Sequence, residues 1–313
     1  MPTDGITHRT DHLPTPDGVR LATYTWLPET DSPRAIVQIA HGAAEHAQRY
    51  DRSARYLCAH GYAVVASDHR GHGATAASTG GYGVVGEEGD GWRATVKDLR
   101  TVGDRARRTL PGIPLFLLGH SMGSMLARDC AQEYGEDLAG LILSGTFRSL
   151  PATEPDQAIA HLEAEIAQGG RTALSGFTTQ LFASFNDPYE SAPATSGSPA
   201  TPRRWPPTPR TSDAASPSAP ASPSTGSAPS ARSTTPTTRP RIPTRLPVHI
   251  AVGAEDPCNQ RMTLVYELLE DFRYLGTHDL TWKAYPGARH EILNETNRDE
   301  VQQDLLTWLH THT

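Results

Sequence analysis

At 313 residues, with a formal net charge of -7 and a pI near 6.0, the chain can build one substantial core or two smaller ones. Its acidic balance excludes a nucleic-acid partner held on a basic face. The three cysteines, Cys58, Cys130 and Cys258, are widely spread and odd in number, and no CxxC pair or His/Cys cluster has ligand spacing, which excludes a disulfide or zinc framework.

The N-terminal residues Met1 to Gly5 lack a basic stretch followed by an apolar run, so no signal peptide is expected. No apolar run approaches the roughly 20 residues of a membrane span, and a cytoplasmic enzyme is the default. Short apolar runs bounded by turn residues then recur along the chain: Ala35–Ala40, Ala63–Ser67, Leu115–Leu118, Leu141–Ser144, Val248–Val252 and Leu280–Tyr285. Each is about one strand long and apolar on consecutive residues, the pattern of strands buried on both faces of a parallel sheet. Helix-compatible segments between them, such as Ser124–Tyr134, predict right-handed βαβ crossovers and an α/β fold with helices on both faces.

The chemistry starts where Leu115–Leu118 ends. Gly119-His120-Ser121-Met122-Gly123 fits G-x-S-x-G between a predicted strand and a predicted helix, the context in which a serine is presented on a sharp turn. A serine hydroxyl is a poor nucleophile near neutral pH and needs a positioned base with a group to orient it. Val248–Val252 runs into Gly253-Ala254-Glu255-Asp256-Pro257, and Leu280–Tyr285 runs into Pro286-Gly287-Ala288-Arg289-His290. Ser121, Asp256 and His290 therefore each follow a strand, where open α/β sheets gather their sites, and they occur in the order Ser, Asp, His. Taken singly, His290 is one of 14 histidines, Asp256 is also a good helix cap, and Glu255 is a rival acid. The small-residue turn His41-Gly42-Ala43-Ala44-Glu45-His46 after Ala35–Ala40 can aim a backbone N–H inward. The Ala43 and Met122 N–H groups are the candidate oxyanion hole, and His41 is expected to support the loop without moving protons.

These residues resemble the monoacylglycerol lipase and lysophospholipase-like (serine aminopeptidase S33-type) branch of the α/β-hydrolase superfamily. The resemblance rests on His41 to His46 with Arg49-Tyr50, Asp68-His69-Arg70-Gly71-His72-Gly73, Gly119 to Gly123, Asn186-Asp187-Pro188, Gly253 to Pro257 and His290. It implies Ser121, Asp256 and His290 as catalytic triad, Ala43 and Met122 as oxyanion hole, a lipid or ester substrate, and no metal or organic cofactor. Asp68 and Arg70 are expected to brace neighbouring loops. Cys258, two residues past Asp256, is either an ordinary loop cysteine or a thiol near the site. The same machinery serves a small-ester esterase, a thioesterase or a peptidase, and these alternatives stay open.

The resemblance also implies a core split by a cap: residues 1–151 as its first part, 152–241 as the insertion and 242–313 as its second part. Ile159, Leu162 and Ile166 fall on one helical face that ends at Gly169-Gly170 and open the cap, whose contact with a membrane surface is left open. Residues 191–241 depart from the family. They contain no Leu, Ile, Val, Met or Phe, too little apolar surface to offset an ordering cost of about 1–2 kcal/mol per residue. No repeated docking motif marks them as a partner-binding tract, and no protein partner is expected. Rereading each codon one base earlier lets Thr195–Trp205 become D-F-W-L-S-R-D-P-A-E-V and Thr234–Pro240 become N-D-P-D-H-A-A, both similar to caps of this family. A pair of compensating single-base shifts, near Glu190 and near Pro240, accounts for the pattern. A natural disordered insertion, or a chain crippled by its altered cap, is the alternative.

Overall fold

The structure, a computed structural model, describes residues 5–30, 32–86, 90–149, 155–170, 173, 175–184 and 241–313. Among these, eight strands form one sheet: β1 (Thr7–Pro14), β2 (Arg20–Leu27), β3 (Ile36–Ala40), β4 (Ala63–Ser67), β5 (Leu115–His120), β6 (Gly140–Ser144), β7 (Val248–Gly253) and β8 (Leu280–Tyr285). Their spatial order is β1-β2-β4-β3-β5-β6-β7-β8. β4 through β8 run parallel by way of β3, whereas β2 pairs antiparallel with both β1 and β4.

The helices are α1 (Asp51–Ala59), α2 (Gly91–Thr109), α3 (Met122–Tyr134), α4 (Pro155–Gly169), α5 (Gly176–Ser184), α6 (Thr263–Tyr274) and α7 (Arg298–Thr311). Strand alternation sorts β5 between them. Phe116 and Leu118 pack with Leu57 of α1 and Leu305 of α7, while Leu117 packs on the opposite face with Leu99 of α2 and Leu126 of α3. The mostly parallel α/β-hydrolase sheet with helices on both faces is thus the observed architecture. All six predicted strands are present within one or two residues of their expected ends.

Two departures have a physical cause. β1 and β2 carry polar residues at alternate or consecutive positions, and β1 is exposed along most of its length, so no continuous apolar run marks this hairpin. β8 is a sheet edge, with Thr281 and Trp282 exposed, and is not buried on both faces as its composition suggested. α4 carries Ile159, Leu162 and Ile166 as expected. Leu162 and Ile166 are half-buried, while Ile159 is exposed. No helix among the described residues is long and apolar enough to cross a membrane. Asn186-Asp187-Pro188 and the stretch 191–240, with its frame-shift pattern, lie outside the described residues.

Candidate active site

The loops that follow β3, β5, β7 and β8 open at the same end of the sheet, and strand register brings them together. Ala40 pairs with Gly119, His120 with Ser144, and Gly253 with Tyr285. β3 and β5 flank the point where strand order reverses, the usual crevice for a ligand in such sheets.

Ser121 sits at φ 53°, ψ -121°, between the last residue of β5 and the first of α3. A non-glycine residue there is strained by about 1–3 kcal/mol, a cost that the surrounding structure must hold. It is held by the Ser121 N–H donating to the Ser144 carbonyl at 3.0 Å and by the Ser124 hydroxyl donating to the Ser121 carbonyl at 2.6 Å. Gly119 and Gly123 make the turn possible: a Cβ at Gly119 would collide with the Gly123 carbonyl, and one at Gly123 with the carbonyl oxygens of Ala40 and His41.

From the far side of the sheet, His290 Nε2 lies 2.8 Å from Ser121 Oγ, and His290 Nδ1 lies 2.7 Å from Asp256 Oδ2. Asp256 uses both oxygens. Oδ1 accepts the Cys258 N–H at 2.8 Å and caps the turn Pro257–Asn259, while Oδ2 meets His290. The neighbouring Glu255 is exposed, and the carboxylate that meets His290 is that of Asp256. Asp256 and His290 are buried. Burial alone would lower the histidine's pKa, but the Asp256 carboxylate and its hydrogen bond lift it well above the ordinary 6.5. The Cys258 thiol adds to this only as thiolate, a form that burial disfavours. His120, with ring centroid 5.0 Å from His290, is pushed down to about 3 by burial and by the charge His290 can carry, and so stays neutral.

The loop carrying Ala43 lies against the serine: a Cβ on Gly42 would sit 3.1 Å from Ser121 Cβ. Neither the Ala43 nor the Met122 N–H is hydrogen-bonded to another group among the described residues. His41 is buried and fully used. Its Nε2 accepts the His69 N–H at 2.9 Å, which leaves Nδ1 to donate to the Gly42 carbonyl at 2.8 Å. Burial and the neighbouring His69 and His72 hold its pKa well below 6.5, so it braces the loop as a neutral ring. Asp68 likewise accepts from Tyr24 Oη and from the N–H groups of Ala47 and Ala74, and Arg70 bridges Asp98 and Asp17.

One connection escaped the sequence-based reading. Glu45 accepts the Gly42 N–H and, at 2.8 Å, the Tyr50 hydroxyl. Arg49 bonds Glu45 Oε2 at 2.9 Å and grips Glu291 with two further bonds of 3.1 and 2.9 Å. Since Glu291 follows His290, this bridge ties the Ala43 loop to the His290 loop. Glu45 and Arg49 stand in the quoted motif, but their partner is 242 residues from Arg49, with no local signal to reveal it.

Comparison with known proteins follows the same geometry. The family model described as serine aminopeptidase, S33 matches residues 31–297. A monoacylglycerol lipase of Mycolicibacterium smegmatis is 28% identical over 295 residues, covering 94% of each chain. Human monoglyceride lipase is 39% identical over 132 residues, which span 42% of this chain and 41% of that protein. The crystal structure of a thermostable carboxyl esterase from Bacillus coagulans superposes with a TM-score of 0.74 at 26% identity, covering 97% of this chain and 98% of that one.

Proposed function

The chain belongs to the serine aminopeptidase S33 family, and from that premise we propose that it is a serine hydrolase cleaving carboxylic esters of monoacylglycerol or lysophospholipid type. That it is a carboxylic ester hydrolase accords with its monoacylglycerol lipase relatives in both bacteria and man. The observation that carries the mechanism is the continuous hydrogen-bonded line from Ser121 Oγ through His290 to Asp256, at 2.8 and 2.7 Å.

In this mechanism His290 Nε2 takes the Ser121 proton as Oγ attacks the ester carbonyl. Asp256 keeps the Nδ1 proton in place and stabilises the imidazolium that forms. The Ala43 and Met122 N–H groups receive the developing oxyanion, an interaction worth about 10²–10³ in rate per donor. His290 then protonates the leaving alcohol, and water attacks the acyl-enzyme by the same route in reverse. Residues 152–241 stand where this family carries its cap, with α4 and α5 as the described part; a cap there would exclude water and line an acyl-chain pocket, which the stretch 191–241, without Leu, Ile, Val, Met or Phe, does not supply.

The test is turnover of monooleoylglycerol and of a short nitrophenyl ester by the full chain, with Ser121→Ala as control and fluorophosphonate labelling of Ser121 alongside. Ser121-dependent turnover of both esters supports the proposal. Labelling with turnover of the short ester alone removes the glyceride substrate and leaves the mechanism. An unlabelled Ser121 in folded protein overturns the catalytic assignment.

A further inference from the structure

Beside the serine-histidine line stands a group that the mechanism does not use. The ligand atoms of Asp256, Cys258 and His290 all lie within 4.8 Å of one another, and all three residues are buried. Cys58 and Cys130 are buried too, but belong to no such cluster among the described residues. A carboxylate, a thiol and an imidazole make up the donor set that zinc and its heavier congener cadmium prefer.

We infer that Asp256, Cys258 and His290 form an inhibitory site for a thiophilic divalent cation, zinc or cadmium, which takes the place of the proton between His290 Nδ1 and Asp256.

The size fits. Donors around zinc at about 2.0–2.3 Å stand roughly 3.3–3.7 Å apart, so Asp256 and His290, now 2.7 Å apart, must separate by about 0.6–1.0 Å to admit the ion while Cys258 Sγ closes in. The charge fits as well. Starting from a neutral imidazole, the Cys258 thiol proton is released to solvent and the imidazole proton moves from Nδ1 to Nε2. One thiolate and one carboxylate then neutralise the two positive charges, and the buried cluster passes from one net negative charge to none. The fourth position is left to water.

Metal on Nδ1 blocks catalysis by changing the tautomer, without touching the serine. Nε2 then carries a proton and donates to Ser121 Oγ where the mechanism needs it to accept. Inhibition in this form rests on His290 acting as the base for Ser121, whereas occupancy of the site does not.

The experiment uses zinc and cadmium salts in chelator-free buffer on the full chain and on Cys258→Ala, with each variant's inhibition measured against its own metal-free rate. Folding is checked by circular dichroism and by fluorophosphonate labelling. The expected result is inhibition reversed by chelator, with the inhibition constant weakened by roughly 10- to 100-fold or more in Cys258→Ala. Cadmium added to Ser121→Ala, where no turnover is read, is expected to raise the ultraviolet thiolate-to-cadmium absorption at one ion per chain, and Ser121→Ala/Cys258→Ala is expected to lose it. Equal inhibition of the parent and Cys258→Ala, or cadmium binding without that absorption, overturns the site. A folded parent that is inactive, leaves Ser121 unlabelled and still shows the band keeps the site and refutes the hydrolase mechanism instead.

Discussion

Arg49→Met tests the bridge between the two loops. The arginine makes three charge-assisted bonds to two carboxylates, and the side chains of Arg49, Glu45 and Glu291 are only 17%, 5% and 10% exposed. Removing one partner of a buried ion pair costs about 3–5 kcal/mol, because the remaining charge is stranded. Here two charges are stranded. Burial already raises Glu45, while Glu291, despite its own burial, is held below the ordinary 4.5 by Arg49. Without the guanidinium both carboxyls have folded-state pKa values above their unfolded ones. Such groups favour folding below the unfolded value and lose that stability as pH rises through the folded value. Keeping one carboxyl protonated costs about 1.4 kcal/mol per pH unit above its ordinary value. The variant's deficit is therefore expected to be about 3–5 kcal/mol near neutrality and to shrink by about 1.4 kcal/mol for each unit of acidification toward about pH 5, mainly through Glu291, since Glu45 is already raised in the parent. Urea denaturation of parent and variant at about pH 5.5 and about pH 7.5 measures both quantities. In the same samples kcat/KM is expected to fall roughly 10- to 100-fold, since displacing the Ala43 and His290 loops misplaces an oxyanion donor and the base. A deficit below about 1 kcal/mol that does not change with pH would refute the reasoning.

Three other changes probe independent features. Asp256→Asn is expected to lower kcat by about 10⁴ and to move the acid limb of kcat/KM to lower pH. The parent loses activity as pH falls through a His290 pKa raised by Asp256, and the variant lacks that carboxylate, so a pH-rate profile of both checks the sign. Ala44 adopts φ 57°, and Ala44→Gly is expected to add up to about 1 kcal/mol of stability in a thermal melt, because relief of left-handed strain exceeds the entropy that glycine brings to the unfolded chain. Sequencing the coding DNA for residues 191–240 is expected to reveal single-base shifts near Glu190 and Pro240. A gene repaired at both is then expected to improve turnover of monooleoylglycerol more than that of the short ester, and equal improvement counts against the cap as the seat of acyl selectivity.

The parts that the chain displayed in advance are those whose signal is local. Strands β3 to β7 are mostly apolar runs, with only Gln38 and His249 polar in their interiors, and Ser121, Asp256 and His290 each follow a strand end, so periodicity and motif spacing point to both. The polar residues of the β1–β2 hairpin, the buried Thr23 among them, interrupt its apolar ones, so it produces no such run. Arg49 and Glu291 are joined through space alone. Trp282 reads as core when Leu280–Tyr285 is taken for a buried strand, yet β8 has a strand on one side only, and nothing in Leu280–Tyr285 records which strand ends the sheet.

The pairing of β6 with β7, Leu141 beside Val248 and Ser144 beside Ala251, has a consequence for how such proteins diversify. Two parallel strands locked side by side hold the ends of residues 145–247 at opposite ends of the pair, a fixed span that the connection has to bridge. A polymer tethered between fixed points is insensitive to its own length: doubling it costs only about 0.6 kcal/mol. The sheet can therefore accept a different intervening segment, longer or shorter, without disturbing Ser121 on one side of the junction or Asp256 and His290 on the other. That separation makes the junction a natural splice point, where new substrate ranges can be tried on an inherited reaction centre.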